Sequence, residues 1–314
     1  MLRRRSCSKI DRGNYNDRAA LAAFAVTVDV ATYEFENIDA APLEEIEARV
    51  PVFPPLSALR IAQDRVAEKS FAARHGGTPA KWAAVENAAD LDAAILEVGT
   101  PAILKTTRFG YDGKGQARIA AAADAPSAWA TIEDGPSILE AMVPFDHEFS
   151  ILIARGQDGT TAIWDAPKNV HDDGVLATST VPPPPAIAAQ LPEARALAVR
   201  IADALDYVGV LAIEFFASAN GPVFNEMAPR VHNSGHWTTE GAFTSQFENH
   251  IRAICGLPLG DTSLVTAGVV MTNLIGDDVA AWPALMAERG THVHLYGKGQ
   301  ARPGRKMGHV TRLR

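Results

Sequence analysis

Cysteine is nearly absent: Cys7 and Cys255 are the only two in 314 residues. That excludes a disulfide framework and a thiolate metal cluster, and it fits a reducing compartment, so the cytoplasm is the expected location. Long apolar runs are missing too. The most hydrophobic stretches, ILEAMVPF and VGVLAIEFF, stop far short of the roughly 18 to 20 residues that cross a bilayer, so no membrane role is expected. Arg3, Arg4 and Arg5 are followed by Ser, Lys and Asp with no signal-peptide core behind them, and nothing there directs secretion. The chain also lacks net positive charge. A formal charge of -8 argues against nucleic acid as a partner, and any anionic substrate must be held by a local basic cluster. From Gly290 onward there is no Asp or Glu, while Lys298, Arg302, Arg305, Lys306, Arg312 and Arg314 crowd the last seventeen positions. Such a run serves either as a solvated basic tail or as an anion trap.

A hydrophobic content of 47% is enough for a real core divided over two or three compact units. Asp17 to Ala25 has helical composition, and VTVDVATYEF then alternates as a strand. Ser57 is placed to cap one long helix, ALRIAQDRVAEKSFAARH, ending at Gly76 and Gly77. A second amphipathic helix covers roughly Ala89 to Val98. Strand PAILKT, the glycine-rich loop FGYDGKGQ, strand ARIAAA, a helix near Pro126 to Ile132, and strands SILEAMV and EFSILIAR follow. The tract Pro182 to Pro185 continues neither helix nor strand and leads into a helix from about Ile187 to Leu205. YVGVLAIEFFA and PVFNEMA, flanking Asn220 and Gly221, give the clearest hairpin signal.

Three segments carry polar groups suited to chemistry. In FGYDGKGQ, Gly110, Gly113 and Gly115 leave backbone amides open to phosphate oxygens, and Lys105 and Lys114 add positive charge. The loop is not a Walker A motif, because Gly115 and not Ser or Thr follows Lys114, and by itself it also suits a plain turn. On the hairpin arms stand Glu214 and Glu226. A two-residue loop pairs Glu214 with Met227 and puts the carboxylates on opposite faces, whereas a three-residue loop from Ala219 to Gly221 sets Glu214 opposite Glu226. The second register implies Mg2+ shared with a nucleotide, since two facing carboxylates repel without a cation. NEMAPRVHNSGHWT is the densest polar segment. His232 and His236 have zinc-helix spacing, but Asn233, Ser234 and Gly235 between them are poor helix formers and the glutamate of HExxH is missing, so zinc is not expected. Arginine and neutral histidine beside Mg2+ suit a small anion such as bicarbonate or a phosphorylated intermediate.

Taken together, YEFEN at 33–37, QDR at 63–65, LKT at 104–106, GYDGKGQ at 110–116, EFSILIAR at 148–155, YVGVLAIEFF at 207–216, NEMAPRVHNSGHWT at 225–238, TSQFENHIRAICGLPLG at 244–260 and GRKMGH at 304–309 resemble the carboxyaminoimidazole ribonucleotide synthetases, a family of ATP-grasp ligases. The resemblance implies an α/β (α+β) protein: an incomplete Rossmann-like preATP-grasp part at 1–58, an ATP-grasp domain at 59–255 with a lid at about 78–145, and a C-terminal segment at 256–314. It implies ATP and Mg2+ as cofactors, bicarbonate and aminoimidazole ribonucleotide as the other partners, and a homodimer.

Carried over by motif, Arg65, Lys105, the loop Gly110, Tyr111, Asp112, Gly113, Lys114, Gly115 and Gln116, then Glu140, Ala141, Met142, Val143, Glu148 and His171 surround ATP. Glu214 and Glu226 hold the metal with Asn225 beside them, and Arg230, His232 and Asn233 meet the bicarbonate-derived group. Glu36, with Glu34 as its alternative, faces the ribonucleotide together with Tyr111, Lys114, Lys298 and Arg305. Met1 to Gly13 does not resemble the family, whose members begin earlier and continue beyond GRKMGH, so a displaced start and an early end are expected. A formate-dependent glycinamide ribonucleotide transformylase and a nucleotide-binding fragment without turnover are the competing readings.

Overall fold

The computed structural model describes residues 13–108, 115–132 and 135–314. Four short helices come first: α1 (Arg18–Ala25), α2 (Ala40–Glu47), α3 (Leu56–Ala62) and α4 (Arg65–Arg74). Ala25, Leu43, Ile46, Leu56 and Leu59 form the core of this part. Two expectations fail here. VTVDVATYEF makes no strand beyond a single parallel bridge from Ala31 to Val52, because a strand needs a neighbour along its length and none of the described residues supplies one. The long helix is two helices. At Gln63 the side-chain Nε2 donates to the carbonyls of Glu36 and Ile38, and Asp64 leaves the helical region at φ -129°, ψ 110°. Its carboxylate then caps α4, accepting from the N–H groups of Val66 and Ala67 at 3.1 and 3.0 Å. Ser57 lies inside α3, with Pro55 at the capping position.

A small antiparallel sheet follows, built from β1 (Trp82–Val85), β2 (Ala102–Thr106), β3 (Gln116–Ile119) and β4 (Ser137–Ala141) in the order β1-β4-β2-β3. Helices α5 (Ala88–Val98) and α6 (Ala125–Thr131) pack on it through Leu91, Ile95, Ala125 and Ala128 against Leu104 and Leu139. Strand β1 was not expected from the sequence. Of the glycine-rich loop, Gly110, Tyr111, Asp112, Gly113 and Lys114 lie outside the described residues, and Gln116 stands opposite Lys105.

Among the described residues, nine strands form one large sheet: β5 (His147–Arg155), β6 (Thr161–Ile163), β7 (Lys168–Asp172), β8 (Val175–Val181), β9 (Gly209–Ser218), β10 (Gly221–Ala228), β11 (Val269–Ile275), β12 (Thr291–Leu295) and β13 (Lys306–Leu313). The main order is β10-β9-β5-β7-β8-β11-β13-β12, with β6 on β5. Helices α7 (Pro185–Ala188), α8 (Leu191–Ala204), α9 (Thr238–Gly241), α10 (Gln246–Ile254) and α11 (Trp282–Ala287) complete the chain. Phe149, Ile151, Ile153, Leu211, Ile213 and Phe215 join α8 in one core, while Leu152, Ala154, Val210 and Ala212 join Trp164 and Trp237 in another. Both faces of β5 and β9 are thus buried, which explains their apolar runs, interrupted only at Ser150 and Glu214 within 149–154 and 210–217.

The second face turns polar at one end. Glu226 faces Glu214, which faces Ser150; two residues along, Glu148 faces Asn169, which faces Ser179. The hairpin reaches this register by a route that the sequence did not suggest. Gly221 pairs with Ser218, leaving Ala219 and Asn220 as the turn, and a bulge between Phe224 and Glu226 moves the pairing on by one residue.

Because Asp64 and not Ser57 starts α4, Asp64→Ala should lower stability by about 1 kcal/mol, and Ser57→Ala should change it by no more than a few tenths. Urea unfolding of both variants measures the difference, and equal losses would contradict the helix break.

Candidate active site

The polar end of this face opens into a cleft of about 820 Å³. The segment between α1 and α2 contributes Glu36 to its lining, α4 Arg65, the small sheet Lys105 and Glu140, and the large sheet Glu148, His171, Glu214 and Glu226. Arg65 Nη1 lies 3.4 Å from Glu226 Oε2. Lys69 and Lys105 both reach Glu140 Oε2, at 3.2 and 3.0 Å, and Lys69 also donates to the Asn225 carbonyl at 3.1 Å. The bulge at Asn225 is therefore held from beneath by a buried ammonium group.

Charges in this cluster control one another. Burial would raise Glu226, but Arg65, Lys105 and Lys69 outweigh it and hold the carboxyl below its ordinary value. Glu214 moves the other way, raised by burial and by the charge of Glu226. Burial also opposes ionisation of Glu140, yet Lys69 and Lys105 keep its carboxyl low. Lys105 itself is lowered by burial despite Glu140. His171 bonds Glu148 through Nδ1; burial works against its charge, but Glu148 and Glu214 carry it above the usual imidazole value.

The segment after β10 forms the opposite wall. Arg230 grips Glu36 with both arms, Nε to Oε2 at 3.0 Å and Nη2 to Oε1 at 2.9 Å. His232 is anchored by its backbone to Gln246 and by Nδ1 to Ser234 Oγ at 2.8 Å, leaving Nε2 3.6 Å from Glu214 Oε1. Burial, with Arg230 and Lys306 nearby, pushes its pKa well down, so the ring is neutral. Asn233 to Gly235 form a single 3-10 turn, not the helix that a zinc pair would need. Further out, the Tyr296 hydroxyl meets His236 Nδ1 at 3.1 Å and His309 Nδ1 at 2.8 Å, and Lys298 Nζ lies 5.2 Å from the centre of the tyrosine ring.

The fold thus brings together Glu36, Arg65, Lys105, Glu140, Ala141, Met142, Val143, Glu148, His171, Glu214, Asn225, Glu226, Arg230, His232, Asn233 and Lys298 around one cleft, and Glu34 also lines it. Arg305 is not on its wall; its Nη1 donates to the Gln300 carbonyl at 3.2 Å. Sequence reasoning missed Glu68 and Lys69. Their offsets of three and four from Arg65 on one helix face were the available signal. Lys306 was seen only as part of the basic run, though it lines the cleft.

Comparison with known proteins decides the family. Residues 4–63 match the ribonucleotide synthetase preATP-grasp domain, 70–247 the ATP-grasp domain, and 269–314 the phosphoribosylaminoimidazole carboxylase C-terminal domain. N5-carboxyaminoimidazole ribonucleotide synthase of Brucella melitensis is 49% identical over 304 residues, 96% of this chain and 83% of that protein. The chain belongs to the N5-carboxyaminoimidazole ribonucleotide synthase family. It is accordingly an ATP-dependent ligase of purine biosynthesis with an ATP-grasp fold. The Bacillus subtilis synthase is 41% identical over 302 residues, 95% of this chain and 78% of that one. Among solved structures, the Thermus thermophilus synthetase aligns with TM-score 0.88 at 44% identity over 96% of this chain and 81% of that one. The Aspergillus clavatus synthase in complex with ADP and 5-aminoimidazole ribonucleotide aligns with TM-score 0.89 at 29% identity, with the same coverage.

Glu68 sets a pH dependence. Its pKa is pushed from 4.5 up to about 8 by burial and by Glu226, and its Oε1 accepts from the Met227 N–H at 2.6 Å. A carboxyl raised in the folded state stabilises most when protonated, and that contribution is lost as pH rises from 4.5 to about 8. Glu68→Gln keeps an acceptor and stays neutral. Between pH 5 and pH 8 it should therefore lose about 1 to 3 kcal/mol less stability than the wild type, read by urea unfolding at both pH values; equal losses would contradict the shift.

Proposed function

We propose that this protein carboxylates the exocyclic amine of 5-aminoimidazole ribonucleotide with bicarbonate at the expense of ATP, giving the N5-carboxyamino product, ADP and phosphate. The observation that carries the reading is Glu214 facing Glu226 on the cleft wall, with Arg65, Lys69 and Lys105 on one side and His232 with Asn233 on the other. The repulsion that raises Glu214 is what a shared divalent cation relieves, so the pair fits Mg2+. Among the described residues no group of three His, Cys, Asp or Glu side chains converges, which suits an ion taking its other ligands from phosphate and water. When bound, Mg2+ neutralises charge on the transferred phosphoryl group.

The chain's own groups do the rest. Arg65 and Lys105 hold the polyphosphate, with Lys69 buried beneath them against Glu140 and the Asn225 carbonyl, and Ala141, Met142 and Val143 border the base. A bicarbonate oxygen attacks the γ-phosphorus, the bond to ADP breaks, and carboxyphosphate forms. The ribonucleotide amine then attacks the carboxyl carbon, phosphate leaves, and the amine gives up a proton. Neutral His232 offers a hydrogen bond to the anion, and Asn233 Oδ1, buried with no hydrogen-bond partner among the described residues, suits the hydroxyl of bicarbonate. Lys298, on the cleft wall, holds the ribonucleotide phosphate, and Glu36 fixes Arg230 for the bicarbonate-derived group. A homodimer is part of the proposal, read by light scattering.

Glu214→Gln and Glu226→Gln should each abolish bicarbonate-dependent ADP release while leaving the circular dichroism spectrum unchanged, because each removes charge at constant volume. Near-wild-type turnover of either variant at ordinary Mg2+ would sink the two-carboxylate site. ATP binding without ADP release by the wild type would leave only a nucleotide-binding fragment.

Lys298→Ala should raise the KM for aminoimidazole ribonucleotide roughly ten- to a hundredfold and leave that for ATP almost unchanged. Arg305→Ala, which removes a guanidinium that lies off the cleft wall, should raise the ribonucleotide KM by less. If both constants rise together, or neither moves, the basic segment is not the ribonucleotide site.

A further inference from the structure

Behind His232 runs a chain of buried polar side chains that no step above uses. Ser179 Oγ donates to Asn169 Oδ1 at 2.8 Å, and Asn169 Nδ2 donates to Ser150 Oγ at 3.2 Å. Ser150 Oγ lies 2.7 Å from Ser234 Oγ, which lies 2.8 Å from His232 Nδ1. All four residues are buried, on strands β8, β7 and β5 and the turn after β10.

The direction of every bond follows from one end. Having accepted from Asn169, Ser150 has its own proton to place, and Ser234 Oγ is the partner within reach. Ser234 must then send its proton on to His232 Nδ1. An independent contact agrees: the backbone N–H of Ser234 also points at Nδ1, at 3.3 Å. Two donors converge on one ring nitrogen, so Nδ1 carries a lone pair and the proton sits on Nε2, the atom 3.6 Å from Glu214.

We propose that Ser179, Asn169, Ser150 and Ser234 form a hydrogen-bond relay that locks His232 in the Nε2–H tautomer, making it a fixed donor to the bicarbonate-derived anion and not a base. The relay consists of positioning residues, and its role in bicarbonate binding rests on the function proposed above. The tautomer itself does not, since it is a property of the free protein.

The test is the tautomer of His232 in the full, ligand-free chain, read by long-range 15N–1H correlation of 15N-histidine-labelled protein, with the resonance assigned through its loss in His232→Gln. Wild type should show Nε2–H alone; Nδ1–H would overturn the proposal. Asn169→Asp reverses the relay, because a carboxylate accepts from Ser150, Ser150 then accepts from Ser234, and Ser234 accepts from Nδ1–H. That variant should populate Nδ1–H and raise the KM for bicarbonate roughly tenfold. In Asn169→Asp with Ser234→Ala the new charge remains but nothing accepts Nδ1–H, and Nε2–H should return. A folded Asn169→Asp with an unchanged tautomer would overturn the relay, as would a double variant that keeps Nδ1–H. If Asn169→Asp does not fold, the wild-type tautomer decides by itself, Nε2–H alone supporting the proposal and Nδ1–H overturning it. A tautomer switch with an unchanged bicarbonate KM would leave the relay standing and remove His232 from the anion site.

Discussion

A single extra residue on one strand governs the chemistry of this cleft. From Gly221 to Phe224 the hairpin pairs in a register that, if continued, would set Asn225 opposite Glu214 and send the Glu226 side chain to the other face. That other face is the apolar core that contains Phe215, Phe224 and Met227, where burying a charged carboxylate is costly. The bulge shifts the pairing by one, and Glu226 arrives opposite Glu214 on the polar face. Lys69, donating to the Asn225 carbonyl, gives the irregular backbone a partner that a regular ladder would otherwise supply.

Placing two acids together has electrostatic consequences that the neighbouring groups absorb unequally. Glu226 has Arg65 at 3.4 Å with Lys69 and Lys105 near, and it keeps its charge. Glu214 faces Glu226 with Glu148 also near, has neutral His232 at 3.6 Å, and is relieved only in part by His171 and Lys306, so it carries most of the repulsion. The asymmetry leaves one acid charged and one poised to gain charge when a cation arrives. Glu68, beneath the same strand, takes the neutral form and serves as an acceptor for the Met227 N–H.

Much of this was legible in the sequence because it depends on local pattern. The hairpin, the interruption of an apolar strand by Glu214, and the polar run from Asn225 to His236 all pointed to one site, and the family motifs gave each residue a role. What stayed hidden depends on distant partners. The break comes at Asp64, where the backbone leaves the helical region just after Gln63 is tied to the carbonyls of Glu36 and Ile38, partners distant in sequence that no helical propensity encodes. VTVDVATYEF alternates like a strand, but among the described residues it has only Val52 to bridge. The bulge escaped because both registers weighed for the hairpin assumed regular pairing beyond the turn.

Continuity of the large sheet links parts of the site that lie far apart in sequence. Ser179 on β8 faces Met271 on β11, which faces Thr311 on β13, and His309 on β13 faces His294 on β12. The C-terminal strands therefore extend the same sheet that carries Glu214 and Glu226, and the polar face persists across them. His294, His309 and His236 stack in that order, with ring centroids 4.5 and 4.7 Å apart, and the Tyr296 hydroxyl binds both His309 and His236. Burial holds His309 down to about 3 and His236 down to about 4, so these rings are neutral near pH 7 and can stack without charge repulsion. Lys298 rests over Tyr296, so the cation assigned to the ribonucleotide is held by the strand system that also carries the acid pair. A shift of β12 against β13 would move Lys298 relative to both carboxylates, and the paired backbones of the two strands, with the stacked His294 and His309 between them, resist it.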